Sequence, residues 1–161
     1  MLTLTEKAIR ESFVNASRKE VSDLTLPEGF GDIDWDRLDY LGWRDRKIAR
    51  RAYVVVPSSD GMVGILLKRA EATPRARAQC SWCQDVQLPN DVVLYAAKRS
   101  GQAGRNGNTV GTLVCADFEC SSNVRKLPPL AYVGFDRDAA REERIARLQV
   151  RAAGFAGSVL E

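Results

Sequence analysis

The sequence predicts an α+β fold: an N-terminal helix and a small antiparallel sheet, followed by a four-cysteine module and a C-terminal helix. Three observations carry that expectation. The four cysteines fall as two close pairs, Cys80-Ser-Trp-Cys83 and Cys115-Ala-Asp-Phe-Glu-Cys120. The run Ala52-Tyr-Val-Val-Val56 is β-branched and aromatic, as strands are. Helical apolar spacing appears only towards the two ends of the chain. At 161 residues the chain is long enough to bury one sizeable core.

Thr3-Leu-Thr-Glu6 has the form of a capping box, with Thr3 as cap and Glu6 reaching back. Leu4, Ala8, Ile9, Phe13 and Ala16 then recur at helical spacing, so one amphipathic helix is expected, stopping before Pro27. Asn15, Ser17 and Arg18 have the alternative of tying themselves to the backbone of the next segment. Trp35, Leu38, Tyr40, Leu41 and Trp43 read as core, because large aromatics dominate core burial. Arg44 to Lys47 reads as a charged loop. The strand 52–56 is expected to end at Pro57, turn through Ser58-Ser-Asp-Gly61, and return as Val63 to Lys68.

The polar, basic stretch Arg69 to Ala78 reads as a divider. It separates an expected subdomain of helix and sheet (1–72) from a metal-binding subdomain (73–127), with a helical extension (128–161) beyond. In the middle part, Val92 to Tyr95 and Thr109 to Cys115 read as paired strands, joined by a glycine-rich loop over 98–108. Asp117 to Val124 reads as a short helix carrying Cys120. Beyond Pro128-Pro129, Asp136 is the expected cap of a final helix. Its apolar stripe is Ile145, Leu148, Ala152 and Phe155, with fraying expected at Gly154 and Gly157.

A C-x2-C turn aims two sulfurs at one point, and a second pair brought from a distance completes a tetrahedron, the geometry Zn²⁺ prefers. With no histidine in the chain, no imidazole ligand is available. The expectation is one structural Zn²⁺ held by Cys80, Cys83, Cys115 and Cys120. Four protein ligands leave no place for a reactive water. Two disulfides, a thioredoxin-like redox pair and four unrelated buried thiols are the rival readings, and an iron–sulfur cluster uses the same ligand set. No basic stretch followed by an apolar run opens the chain, so no secretory signal is read there, and the paired thiols then point to the cytoplasm. Metal turn, hairpin, then a second metal pair at a helix start is the treble-clef arrangement.

A net charge of +3 is too mild to demand nucleic acid, so any basic surface must be local. The hydrophobic fraction of 45% is that of a soluble globular chain, and no apolar run approaches membrane-spanning length. The commonest general base is missing, no G-x-S-x-G elbow occurs, and no G-K-[ST] closes the glycine run, so the chain reads as a non-enzyme without a small-molecule substrate. Lys98, Arg99 and Arg105 put cations on the glycine-rich loop and are candidate partner contacts; the same cations equally suit a solvated loop that offsets thiolate charge. Trp82, between two ligands, either packs beneath the metal turn or protrudes as a further contact.

Six segments together carry a resemblance. They are Ile9-Arg-x-Ser-Phe-Val-Asn-Ala-Ser-Arg18, Leu41-Gly-Trp-Arg-Asp45, Arg51-Ala-Tyr-Val-Val-Val-Pro57, Cys80-Ser-Trp-Cys83, Gly104-Arg-Asn-Gly-Asn-Thr-Val-Gly111 and Cys115-Ala-Asp-x-x-Cys120. In combination they resemble the FBP domain, the C-terminal treble-clef zinc-finger region of FusB-type elongation factor G-binding proteins. The resemblance runs from the N-terminal helix to about Arg125. It implies a zinc-dependent adaptor that binds elongation factor G or the ribosome, the treble-clef region supplying the main contact surface. In the resistance members, binding helps the factor leave the ribosome and so counters fusidic acid. Two departures stand out: FusB-type proteins carry a helical bundle ahead of this region, and the final helix here looks additional. Binding to elongation factor G is what carries over, not drug resistance. An RNA-binding zinc module using the loop at 98–108 is the alternative.

Overall fold

The computed structural model describes residues 1–71, 78–85 and 91–161. Among these residues, five antiparallel strands form one sheet in chain order: β1 (Leu41–Arg44), β2 (Arg51–Ser58), β3 (Gly61–Arg69), β4 (Val92–Lys98) and β5 (Thr109–Cys115). The expected hairpin is present. Its register runs from Arg51↔Lys68 to Ser58↔Gly61, leaving Ser59 and Asp60 as a two-residue turn. Gly61 follows at φ +124°, backbone that side chains rarely adopt. Pro57 does not end β2 as expected. Pairing with β1 stops at Val55, so Pro57 lies where one flank is already open and a missing N–H is tolerated.

Alternation along β2 builds two cores, because successive side chains point to opposite faces. Tyr53 and Val55 join Leu4, Ile9, Leu24, Leu41 and Trp43 beneath the N-terminal segment. Ala52, Val54 and Val56 face the other way, into a core that contains all four cysteines together with Leu148, Ala152 and Phe155. The aromatic stretch is core as expected. It also contributes β1, a four-residue strand too short to stand out in the sequence. Gly42 within it is required by packing, since a Cβ there would lie 2.6 Å from the Phe118 ring.

The N-terminal segment is two short helices rather than one: α1 (Glu6–Glu11) and α2 (Arg18–Ser22). Thr5, not Thr3, caps the first by accepting from the Ala8 amide at 3.2 Å. The capping box belongs to α2, where Ser17 and Glu20 bond each other's backbone at 2.8 and 3.2 Å. The helix breaks because β3 needs partners. Residue-by-residue pairing of β3 with β4 covers only Lys68↔Ala96 and Arg69↔Tyr95. Buried main-chain groups upstream must be satisfied another way. Ser12 and Val14 bond Gly64 at 2.9 and 3.0 Å. The Asn15 amide then serves Leu66 N and O at 2.8 and 3.0 Å, and Lys98 O at 3.0 Å. Asn15 is tied to main chain, as one reading had it, but to that of β3 and β4 and not to the segment that follows it.

The stretch 98–108 contains a one-turn helix, α3 (Gly101–Arg105), where a loop was expected. A Cβ on Gly104 would collide with the Arg99 carbonyl, so that close approach needs glycine. The short helix α4 runs Cys120–Arg125 and the final helix α5 runs Arg137–Leu160. Asp136 caps α5 as expected, accepting from Ala139 N at 2.9 Å. No fraying occurs at Gly154 or Gly157, because Phe155, Ala156 and Val159 are buried and anchor the last turns. The expected divider at 69–78 falls largely outside the described residues. The β3–β4 pairing and the cysteine-containing core both cross the 72/73 boundary. Among the described residues, no helix is long and apolar enough to cross a membrane.

Candidate metal centre

Three pieces of local structure bring the cysteines together. Cys80 and Cys83 flank a turn in which the Cys83 amide donates to Cys80 Sγ at 3.4 Å and Gln84 N to Cys80 O at 3.0 Å. The Ser81 amide bonds Leu113 O at 2.8 Å, fixing that turn to β5. Cys115 is the last residue of β5 and Cys120 the first of α4. Phe118 between them sits at φ +60°, a conformation uncommon for a bulky residue. It is held by the Tyr40 hydroxyl, which donates to Phe118 O at 3.2 Å, and by stacking on Tyr95 at 5.3 Å.

The four sulfurs lie within 4.8 Å of one another and all four cysteines are buried. Cys80 and Cys120 Sγ are 3.6 Å apart, Cys83 and Cys115 Sγ 3.7 Å. A tetrahedron with Zn–S bonds of about 2.3 Å has edges of about 3.8 Å, so the donor set fits one Zn²⁺. These separations are far from the about 2.05 Å of a disulfide, and all four cysteines are free. Hydrogen bonding within the cluster, from Cys115 first, holds the Cys80 thiol well below its ordinary range and lowers that of Cys83, while Cys120 is pushed up, Cys115 again the largest cause. A divalent cation is what lets all four act as thiolates.

Trp82 is 1% exposed and lies beneath the turn, its ring 4.8 Å from Tyr40 and 5.7 Å from Phe155. It offers no contact surface, which corrects its candidacy as a partner residue; an indole beside two thiolates is more stable sealed in core than facing water. Arg99 is also engaged internally, donating to Ser158 O at 2.6 Å with Glu161 3.8 Å away. Arg105 is exposed on α3 and bonds only Gln102 among the described residues. Lys98 is exposed on the sheet face turned away from the cysteines. The three cations therefore do not form one cluster.

Sequence reasoning missed the residues that buttress the site. Asn123 is 2% exposed, and its amide faces Cys115 Sγ at 3.7 Å and Cys83 Sγ at 4.0 Å. A signal existed: three residues beyond Cys120 on a helix is the same face. Helix α5 clamps both metal pairs. Arg151 donates to Trp82 O at 3.2 Å. Arg144 donates to Asp85 at 3.0 Å, Lys126 O at 3.1 Å and Asn123 O at 3.3 Å. Asn123→Ala is expected to weaken zinc affinity about 10- to 100-fold with the fold retained, measured by competition with a chromophoric chelator. Unchanged affinity would make Asn123 a packing residue only.

A metal turn, a β-hairpin and a second cysteine pair opening a helix, closed around buried thiolates, define a treble-clef protein with a structural zinc site. The chain belongs to the FBP C-terminal treble-clef zinc-finger family, whose model matches residues 8–159. That match includes α5, so the final helix is part of the family's domain and not an addition after Arg125. The family's metal being zinc also closes the iron–sulfur reading. A solved structure of the fusidic acid resistance protein FusC shares the fold with a TM-score of 0.57 and 20% identity. The similarity covers 91% of this chain and 59% of FusC, so the chain spans about three-fifths of that protein. Comparison with curated proteins gives no match.

Proposed function

We propose that this protein is a zinc-dependent adaptor that binds the translational GTPase elongation factor G in the cytoplasm, acting by contact and without chemistry of its own. The observation that carries this reading is the family match across residues 8–159, which takes in the metal centre and the helix that clamps it. A candidate contact surface lies next to α4. Leu127, Leu130, Tyr132 and Val133 are all exposed on the segment between α4 and α5. The Arg137 guanidinium holds that segment through Pro128 O at 2.7 Å, and Tyr132 packs edge-on against Phe135 at 5.3 Å. Aromatic and aliphatic side chains displayed on a braced segment are suited to the apolar centre of a protein interface. Zinc would contribute by holding α4, and with it this segment, in one place.

Calorimetric titration of the zinc-loaded protein into elongation factor G from the same source tests the proposal. Saturable binding at micromolar Kd or tighter is expected, weakened at least tenfold by Leu130→Asp and less by Arg105→Glu. Modest salt dependence is expected of an interface with an apolar centre. No heat at any ratio would remove the adaptor reading.

A further inference from the structure

The sheet carries a second surface, on the face opposite the cysteines. The N-terminal segment covers that face over β1, β2 and most of β3, touches β4 through the Asn15 bond to Lys98 O, and leaves the rest of β4 and β5 uncovered. There Leu94 is 41% exposed and Gly111 is open to solvent. A groove of about 550 Å³ runs along the edge of the cover, over the gap between β3 and β4. Among the described residues, four cations line it (Arg50, Arg51, Lys68 and Lys98) against one carboxylate, Glu20.

Strand register sets three of these cations in a row. Arg51 is directly opposite Lys68, and Lys68 is directly opposite Ala96. Lys98 lies two residues beyond Ala96 on the same face, so it is the diagonal neighbour of Lys68, about 7–8 Å away. Like charges set directly opposite are destabilising, and here the repulsion is only partly offset. Glu20 is 3.8 Å from Arg51, and its carboxylate is already occupied by Ser17. Arg50 is committed to Arg69 O at 3.1 Å and to Glu71. Glu20 also attracts Lys98 electrostatically, but among the described residues neither Lys68 nor Lys98 has a carboxylate within 4 Å, and one carboxylate is left to serve several cations.

The rest of the groove suits a strand-like anion. Ala96 makes a low floor beneath the row. Thr109, opposite Lys98 in the β4–β5 register, adds a hydroxyl donor of the kind that contacts phosphate. Ile48, 45% exposed at the rim, offers an apolar edge. We propose that this groove binds the phosphodiester backbone of a single-stranded polynucleotide, with Arg51, Lys68 and Lys98 each meeting a phosphate. An arginine and two lysines in a row suit a backbone that carries a charge on every residue better than the isolated carboxylates of a peptide. The site is distinct from the loop at 98–108: Arg99 and Arg105 do not line it. The inference is independent of the elongation-factor reading, since it is measured with no factor present.

The test uses fluorescence anisotropy of the zinc-loaded full chain with labelled twelve-nucleotide oligouridine and oligothymidine, in a salt series from 50 mM, alongside a labelled twelve-residue oligoglutamate. Saturable binding is expected, with log K falling against log salt at a slope of about −2 for three phosphate contacts. Lys68→Gln with Lys98→Gln should lower that slope in magnitude by about 1.4, and Lys68→Glu with Lys98→Glu should weaken binding at least tenfold. Arg105→Glu should leave it unchanged. Preference for uridine over thymidine strands would assign the site to RNA, and equal binding would assign it to the phosphates alone; both support the proposal. Absence of saturation at 50 mM salt, an unaltered slope in the double glutamine variant, or oligoglutamate binding as tightly as the oligonucleotides would each overturn it. Amide shift mapping on the unaltered protein decides the matter if a variant misfolds: perturbations must centre on residues 68, 96 and 98.

Discussion

Cys115→Ser is expected to release zinc and unfold the whole chain, not only its C-terminal part. The reason lies in where the site sits. Its sulfurs share one core with Val54, Ile65, Tyr95, Leu148 and Phe155, drawn from β2, β3, β4 and α5. Apparent zinc-binding free energies of structural sites are about 10–16 kcal/mol, comparable to the entire stability of a domain. Losing one thiolate forfeits much of that and leaves three buried sulfurs that repel one another if ionised. Circular dichroism should show loss of the cooperative thermal transition, and metal analysis should show less than one zinc per chain. Chelation of the unaltered protein should reproduce the effect, and zinc should reverse it. A metal-free variant that keeps its melting transition would show that the core stands without the ion.

Asp39→Ala carries the next largest expected effect. The Asp39 side chain is 1% exposed and accepts from Arg125 at 2.5 and 3.3 Å and from Gln149 at 2.9 Å. Its own amide donates to Ser121 Oγ at 3.0 Å. One carboxylate thus ties the segment before β1 to α4 and α5. Removing one member of a buried ion pair costs about 3–5 kcal/mol, because the partner is left desolvated and unpaired. At saturating zinc, the urea midpoint should fall by more than about 1 M. Replacing both partners by apolar residues, Asp39→Leu with Arg125→Met, should recover much of the loss. If the double variant is as unstable as the single one, the network is needed for geometry rather than for charge compensation.

The metal centre was legible because its chemistry is local. Two cysteines two residues apart can turn towards one point whatever surrounds them, and the second pair sits where strand β5 passes into α4. The β2–β3 hairpin was legible for a related reason: its turn residues and its strand alternation are neighbours in sequence. The cap and apolar stripe of α5 were legible from spacing alone, and the glycines that suggested fraying were outweighed by Phe155 and Val159 in the core.

The N-terminal segment was not legible, although its composition favours one helix. Gly64 and Leu66 needed hydrogen-bond partners, and Ser12 to Asn15 supply them at the cost of a helical turn. No local pattern announces a debt incurred some fifty residues away. The same holds for Trp82, whose inward position depends on Tyr40 and Phe155, and for Arg99, whose charge is taken up by the carbonyl end of α5. It holds too for the row Arg51, Lys68 and Lys98, which lie far apart in the chain and meet only through strand register. Spacing along the chain pointed to the four cysteines as one metal site and to the hairpins, since those interactions close over a few residues, while zinc over an iron–sulfur cluster came from the family match. Which cations are free, which aromatics are buried and how far the final helix belongs to the domain followed from long-range packing, where each side chain answers to neighbours that the linear order does not place beside it.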